Sequence, residues 1–348
     1  MFRAACRAGE DSFPRPIWPL RAAVITRFGE PDVLEIRDVP VPTPADDEVR
    51  VRVRASALNR ADLLQRLGRY PPPNGVPRDI PGIEFAGEVD AVGQAVERWR
   101  AGDRVFAIVG GGAQAEYVLA HQDTLVRIPD ALTWPQAGAV PEAFMTAHDA
   151  AVTQAGVRAG ESVLIHAVGS GVGLAATSLV RALGAVPYGT SRTADKIERA
   201  RAIGLEDGVV VDRELEPMVL AASRWTNGRG MDVVLDLLGG HYVPASIDAL
   251  ALKGRLMLIG TVAGPRTTIE VGKVLGKRLS IRGTVLRARS LTEKAAVARA
   301  FERDVIPLLE AQKVTPVVDS IFALERIADA HRRMESNATF GKVVIEVG

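Results

Sequence analysis

The sequence predicts an α/β protein that combines a β-rich first part with a doubly wound parallel sheet. Three observations predict this fold class. Short strands separated by glycines fill the first third of the chain, a glycine-rich turn follows the strand Val163 to Val168, and strands then alternate with helices as far as Gly260. The length of 348 residues is enough for two domains of about 100 to 200 residues each.

The composition excludes several functional classes. The 43 lysines and arginines balance 42 aspartates and glutamates, so the chain lacks the excess of basic charge typical of a nucleic-acid binder. No apolar run approaches the roughly 18 to 20 residues needed to cross a bilayer. Cys6 is the single cysteine, which excludes an internal disulfide and a zinc site of four cysteines. We therefore expect a cytoplasmic protein without a nucleic-acid or membrane partner.

Residues 1–19 are predicted to form an irregular N-terminal arm. Pro14, Pro16 and Pro19 lie close together, and no periodic apolar pattern accompanies them. The segment also lacks the apolar core of a secretory signal. The ordered part of the chain is expected to begin at Leu20.

The β-rich part follows this arm. From Val49 to Ser56, valine or alanine alternates with arginine or serine, which is the period of two expected for a half-buried strand. Further strands are predicted at 84–92, 104–108 and 116–119, with glycines between them. Between about Leu132 and Ala155 the composition shifts toward alanine, methionine and glutamine, and we expect a domain boundary there.

The turn from Ala167 to Gly173 lies between a strand and a helix rich in alanine and leucine. Glycines let the backbone approach a pyrophosphate closely, and a helix N-terminus offers free N–H donors. The predicted pyrophosphate site consists of Gly169, Ser170, Gly171, Val172 and Gly173. A hydrolase nucleophile at Ser170 is disfavoured, because Gly-x-Ser-x-Gly would need glycines where the chain has Val168 and Val172. The alternative explanation of the glycines is tight packing alone.

The end of the next strand predicts which dinucleotide is bound. An NAD enzyme places an acidic residue there, whereas residues 189–196 read GTSRTADK. Ser191, Arg192 and Lys196 are suited to a 2′-phosphate, so NADPH is the predicted cofactor. The alternative is that Arg192 and Lys196 are ordinary solvated charges at a helix start.

Several motifs together resemble a known family. They are SALNRAD (56–62), YPPP (70–73), PGIEFAG (81–87), PEAFMTA (141–147), AVGSGVG (167–173), DLLGG (236–240) and GKVV (341–344). On these motifs the chain resembles the zinc-free quinone oxidoreductase branch of the medium-chain dehydrogenase/reductase superfamily, which includes zeta-crystallin. The resemblance extends from Leu20 to Val347.

The resemblance implies two interleaved domains. Residues 20–143 and 287–348 would form a GroES-like catalytic domain, and residues 144–286 an NADP(H)-binding Rossmann domain inserted between them. The sequence pattern supports a return of the chain to the catalytic domain, because strict alternation of strands and helices ends after Arg282.

The resemblance also implies reduction without a metal. Zinc-dependent relatives carry Gly-His-Glu where this chain has Gly82-Ile83-Glu84, and a cysteine where it has Asn59. We therefore expect no metal site. The expected reaction transfers a hydride from NADPH to a quinone or to the β-carbon of an enone.

Three residues are the predicted catalytic group. Tyr70 would orient the acceptor and donate to a developing oxyanion, although an aromatic residue packed on the neighbouring prolines is the alternative. Asn59 would contact the nicotinamide ribose or the substrate. Asp62 is the third candidate, with a helix cap at Ala61 to Leu67 as its alternative role.

Further cofactor contacts are predicted around the same cleft. The resemblance places a hydroxyl, Thr146, and the closing segment at Leu286 near the nicotinamide. Gly239, Gly260 and Thr261 end later strands on the edge where a doubly wound sheet binds its ligand. For the glycines, turn geometry alone is the alternative.

Other activities and assemblies stay open at this point. Within the superfamily, the alternative is a 2-enoyl thioester or alkenal reductase. The alternative from another class is a structural or RNA-binding crystallin-like protein that holds cofactor without turnover. The segment Leu279 to Leu286 predicts an exposed sheet edge, which relatives pair across a dimer, so a homodimer is expected.

Overall fold

The computed structural model describes residues 19–348. The predicted arm, residues 1–19, lies outside the described residues except for Pro19. Within the described part, three sheets account for all the named strands. No helix of residues 19–348 is long and apolar enough to cross a membrane.

The first two sheets come from both ends of the chain. β1 (Leu20–Ile25) and β2 (Leu34–Val39) form an antiparallel pair. A seven-stranded sheet has the order β14-β15-β3-β4-β5-β7, with β6 also pairing with β3. Its strands are β3 (Glu48–Ala57), β4 (Glu84–Val92), β5 (Arg104–Ile108), β6 (Tyr117–His121), β7 (Val126–Arg127), β14 (Val318–Ala323) and β15 (Lys342–Glu346). The alternation predicted for β3 is present: Val49, Val51 and Val53 are fully buried.

The third sheet is six-stranded and wholly parallel. Its order is β10-β9-β8-β11-β12-β13, so the direction of winding reverses at β8. The strands are β8 (Ser162–Ile165), β9 (Val186–Ser191), β10 (Asp207–Val210), β11 (Met231–Asp236), β12 (Leu250–Leu258) and β13 (Ser280–Gly283). This is a doubly wound sheet, and the predicted α/β class with its two components is confirmed.

Helices cover the parallel sheet and connect the two halves. They are α1 (Arg60–Arg66), α2 (Trp134–Gly138), α3 (Pro141–His148), α4 (Gly171–Ala182), α5 (Ala194–Arg201), α6 (Glu216–Trp225), α7 (Tyr242–Ala249), α8 (Val271–Lys277), α9 (Leu291–Asp304), α10 (Ile306–Glu310) and α11 (Ile327–Glu335). One core joins α3, α4 and α9 to the parallel sheet, and a second packs α6 and α7 on its other face. Both faces of the sheet are therefore covered, as a parallel sheet requires.

The C-terminal strand returns to the first part of the chain. β15 pairs antiparallel with β3, with Val344 opposite Ala57. The ring of Phe301 in α9 packs edge-on against Phe106 of β5, with 6.1 Å between the ring centroids. These contacts support the division into 20–143 plus 287–348 and 144–286, which we keep as a proposal.

Candidate active site

The two halves of the molecule meet at the turn that precedes α4. The amide of Gly341 donates to the carbonyl of Gly169 at 3.1 Å, which ties the start of β15 to the turn. A Cβ added at Gly171 would lie 2.4 Å from Cδ of Lys342. The aliphatic part of Lys342 therefore packs directly on the glycine turn, and only glycine leaves room for it.

The turn itself presents backbone donors. Ser170 caps α4, and its Oγ accepts from the amide of Gly173 at 3.1 Å. The amides of Gly171 and Val172 precede the first hydrogen bond of the helix, so they are free to bind an anion. Ala167 has a φ of +49°, a conformation that costs energy in a non-glycine residue and is common at functional sites. The predicted turn residues thus lie together, in a geometry that fits a pyrophosphate.

The end of β9 brings the predicted 2′-phosphate residues together. Ser191 is buried, and its Oγ accepts from the amide of Thr193 at 3.3 Å. Arg192 is exposed. The Nζ of Lys196 donates to the carbonyl of Asn337 at 2.7 Å, and its methylene groups cover Gly169. Lys196 thus spans the glycine turn as well as the strand end.

Arg60 is a cation in this region that the sequence interpretation did not include. Its guanidinium donates to Oδ1 of Asn337, whose carbonyl binds Lys196. Burial and the nearby Arg192 lower the pKa of Arg60, and burial together with Arg192 also lowers the pKa of Lys196. Because the positive charges of these side chains repel one another, an anion bound between them would be stabilised. No sequence signal places the start of α1 beside the end of β9.

A buried ionic cluster lies on the other side of the glycine turn. We define it as Asn59, Asp62, Glu84, Glu142 and Lys342. The Nζ of Lys342 is 2.7 Å from Oε1 of Glu84 and donates to Oδ1 of Asn59 at 2.7 Å. The Nδ2 of Asn59 donates to the same Glu84 oxygen at 2.8 Å. Asn59 is therefore fixed by both charged partners.

Asp62 serves as a cap within this cluster. Its Oδ2 accepts from the amide of Asn59 at 2.7 Å, and its Oδ1 accepts from the amide of Gly82 at 2.9 Å. Burial raises the pKa of Asp62 to about 6, against the opposing effect of these hydrogen bonds. The alternative predicted for Asp62, a helix cap, describes its contacts, and a catalytic role stays a prediction.

Glu142 and Thr146 lie one turn apart on α3. The amide of Glu142 donates to Oε2 of Glu84 at 2.8 Å, and the hydroxyl of Thr146 donates to Oε1 of Glu142 at 3.3 Å. Burial, with Glu84 adding to it, raises the pKa of Glu142 to about 7. Neither Glu142, Glu84 nor Lys342 was among the predicted site residues. One signal in the sequence could have found them: Lys342 stands in the apolar strand sequence Lys-Val-Val-Ile. A lysine buried there requires a buried acidic partner.

Tyr70 is held by an arginine from the C-terminal half. The guanidinium carbon of Arg287 lies 4.9 Å from the centre of the Tyr70 ring. Arg287 also donates to Oε1 of Gln65 at 2.7 Å and to the carbonyl of Gly110 at 2.8 Å. The neighbouring Leu286 is buried in the core. Arg287 thus fixes the position of the Tyr70 ring.

The remaining predicted residues follow β11 and β12. A Cβ at Gly239 would lie 2.9 Å from the carbonyl oxygen of Gly260 and 3.2 Å from Cα of Thr261. Oδ1 of Asp236 accepts from the amides of Leu238 and Gly239 at 2.8 and 2.9 Å. These three predicted residues lie together at one sheet edge, where close backbone packing requires the glycines.

Across residues 19–348, no group of three or more histidine, cysteine, aspartate or glutamate side chains is arranged to hold a metal ion.

Known proteins resemble this chain along most of its length. Residues 45–130 match the alcohol dehydrogenase GroES-like domain, and residues 206–345 match the zinc-binding dehydrogenase family. The chain is 32% identical over 335 residues to human quinone oxidoreductase, which covers 94% of this chain and 97% of that protein. It is 34% identical over 319 residues to quinone oxidoreductase of Pseudomonas aeruginosa, covering 91% of this chain and 97% of that protein.

A solved structure is also similar to this chain. The crystal structure of an NAD-dependent alcohol dehydrogenase superposes with a TM-score of 0.84 at 34% identity, covering 94% of this chain and 100% of that one.

Proposed function

The chain belongs to the quinone oxidoreductase branch of the medium-chain dehydrogenase/reductase superfamily, and we propose that it reduces quinones or related enones with NADPH, without zinc. The observation that carries the proposal is the ammonium of Lys342, which lies 2.7 Å from both Asn59 and Glu84 beside the glycine turn. A metal cation bound there would be repelled by the positive charge of Lys342. Where zinc-dependent relatives carry a cysteine and a histidine, this chain has Asn59 and Ile83, which are poor ligands for zinc, and the neighbouring carboxylate of Glu84 is already paired with Lys342.

The residues of the proposed site have separate roles in the reaction. When bound, the dinucleotide supplies the hydride. The turn 169–173 would hold its pyrophosphate, and Thr146 and Leu286 would border its nicotinamide. Tyr70 donates a hydrogen bond to the oxygen of the acceptor as negative charge develops there. Arg287 keeps the Tyr70 ring in place, which limits the reorganisation needed during the reaction.

NADPH is proposed over NADH because of the charges at the end of β9. Arg192, Lys196 and Arg60 supply three cations near Ser191, and a 2′-phosphate is the group that distinguishes the two cofactors. The fold alone does not decide the cofactor, since a structure named NAD-dependent alcohol dehydrogenase is similar.

A panel of acceptors tests the proposed function. The purified protein is given NADPH or NADH with 9,10-phenanthrenequinone, an enone, an enoyl thioester and a primary alcohol with the oxidised cofactor. We expect NADPH oxidation with the quinone and the enone, and no alcohol oxidation before or after incubation with zinc. Turnover of the thioester alone would replace this proposal with enoyl reduction. Cofactor binding without any turnover would favour the structural alternative.

We also propose that the protein is a cytoplasmic homodimer. All residues of β13 are exposed at the edge of the parallel sheet, and apolar side chains of Val262, Leu275 and Val285 are exposed as well. Pairing of this edge with a second copy would cover it. A monomeric mass in light scattering at micromolar concentration would contradict the dimer, and cell fractionation tests the location.

A further inference from the structure

The charges of the buried ionic cluster do not balance when every acid is ionised. Three carboxyl groups, those of Asp62, Glu84 and Glu142, share one nearby lysine, Lys342. Arg287 is the other cation nearby: burial lowers its pKa, and the charges of Asp62 and Glu142 oppose that lowering. Buried charges without a partner are costly, so this arrangement favours a bound proton on one carboxyl.

Hydrogen bonds indicate which carboxyl holds that proton. Glu84 has partners on both oxygens: Lys342 and Asn59 on Oε1, and the amide of Glu142 on Oε2. Asp62 accepts a backbone amide on each oxygen. Among residues 19–348, Oε2 of Glu142 has no partner although it is buried. Donors that favour an ionised carboxylate therefore surround Glu84 and Asp62, and Glu142 is left with a weak contact to Thr146.

Glu142 lies in the part of α3 that packs against the glycine turn. Glu142 lies in the first turn of α3 next to Ala143, whose Cβ is 3.8 Å from a Cβ built at Gly171 of the glycine turn. Thr146 follows one helical turn later and shares a hydrogen bond with Glu142. A hydroxyl group accepts one proton and donates another, so Thr146 can pass a proton from Glu142 to an acceptor bound at the position that the resemblance gives to the nicotinamide.

We propose that Glu142 stores the proton consumed in each reduction and delivers it through Thr146. The inference rests on the proposed function, since only an acceptor of hydride then needs a proton. After hydride addition, the hydroxyl of Thr146 turns from Glu142 to the anion of the acceptor, the O–H bond at Oε1 of protonated Glu142 breaks, and the Thr146 oxygen takes that proton. Thr146 releases its own hydroxyl proton to the anion of the acceptor. Glu142 is left as a carboxylate beside Lys342 and regains a proton from water.

The first test needs neither cofactor nor substrate. Infrared difference spectra between pH 5.5 and pH 8.5 are recorded for the wild type and for Glu142→Gln. We expect a protonated-carboxyl band that is lost at high pH in the wild type and missing in the variant. Asp62 titrates in both proteins, so a protonated-carboxyl band that is present in the wild type and missing in the variant is assigned to Glu142. An identical titration in both proteins would overturn the inference, whatever the enzyme reduces.

The second test measures turnover against pH. We expect Glu142→Gln to lower kcat about 100-fold with the quinone and to remove the loss of activity above about pH 7. KM for NADPH should stay within a factor of about two, because Glu142 does not hold the cofactor. Glu310→Gln, an exposed acid at the end of α10, is the matched control and should behave as the wild type. An unchanged pH profile in Glu142→Gln contradicts the role.

A second pair of variants covers the case in which Glu142→Gln does not fold. Thr146→Val removes the hydroxyl and should lower kcat while the infrared band of Glu142 remains. Thr146→Ser restores a hydroxyl and should recover most of the activity. Equal activity of the two variants would show that no proton passes through residue 146. A wild type inactive with every acceptor would reject the proposed function, and the infrared result would still decide the protonation of Glu142.

Discussion

The two charged regions of the cleft hold their charges in different ways. At the cofactor edge, Arg192 is exposed, and its neighbours Lys196 and Arg60 bind the backbone and side chain of one residue, Asn337. In the buried ionic cluster, Lys342 and Glu84 are shielded from water and bonded to each other. Water screens charges at an edge, whereas buried charges must be balanced by their neighbours. Loss of one charge should therefore affect ligand binding at the edge and folding in the cluster.

Lys342→Met should have the largest effect. The substitution removes the ammonium that compensates Glu84 and leaves a buried carboxylate without its cation, at a cost of about 3 to 5 kcal/mol. Urea denaturation measures the change in the free energy of unfolding. Lys313→Met, at an exposed lysine, is the control and should change stability little. If both substitutions changed the free energy of unfolding only slightly, the buried ionic cluster would tolerate the loss of a charge as well as the cofactor edge does.

Glu142→Gln should change how stability depends on pH. The pKa of Glu142 is raised from 4.5 to about 7, so the folded state binds this proton more tightly than the unfolded state. The resulting stabilisation is complete below pH 4.5 and is lost as pH rises to about 7, at most about 3 kcal/mol. The variant should lose less stability between pH 5 and pH 8 than the wild type.

Chemical denaturation at these two pH values checks the sign of the effect. The pKa of Asp62 is also raised, to about 6, so both proteins should still lose some free energy of unfolding as pH rises. A parallel loss in wild type and variant would place the proton elsewhere in the cluster.

Sequence reasoning could bring candidate site residues together where they are close in the chain. Residues 169–173 and 191–196 each lie within a few positions, and their place after parallel strands puts them at one edge of the sheet. The predicted strand 163–168 was too long, because β8 ends at Ile165 and Ala167 adopts a left-handed conformation. The strand propensity of the residues does not predict the strained backbone conformation that a turn at a functional site imposes.

The buried ionic cluster was beyond that reasoning. Lys342 and Asn59 are 283 positions apart, and they meet because β15 pairs with β3. Both residues stood in motifs that carry the family resemblance, yet spacing alone gives no distance between them. The cap at Asp62 was an exception, since its partner Asn59 is three residues away.

Tyr70→Phe should lower kcat with the quinone by about 30-fold and leave KM for NADPH unchanged. The phenol hydroxyl is lost, whereas the ring still packs on Arg287. The change is that expected for one hydrogen bond to a charged group, about 2 kcal/mol. Steady-state kinetics measure it, and circular dichroism verifies the fold. Unchanged turnover would remove Tyr70 from the reaction and leave the buried ionic cluster as the only proposed source of polarity.

Arg192→Ala should have the smallest effect, confined to one cofactor. The side chain is exposed, so its removal leaves no buried charge and should change stability by less than about 1 kcal/mol. Loss of a charge-assisted contact to the 2′-phosphate should raise KM for NADPH about 10-fold, while KM for NADH stays constant. Arg224→Ala, a basic residue exposed at the end of α6, is the matched control. Equal changes for both cofactors would show that Arg192 does not contact the 2′-phosphate, and the choice of NADPH would then depend on Arg60 and Lys196.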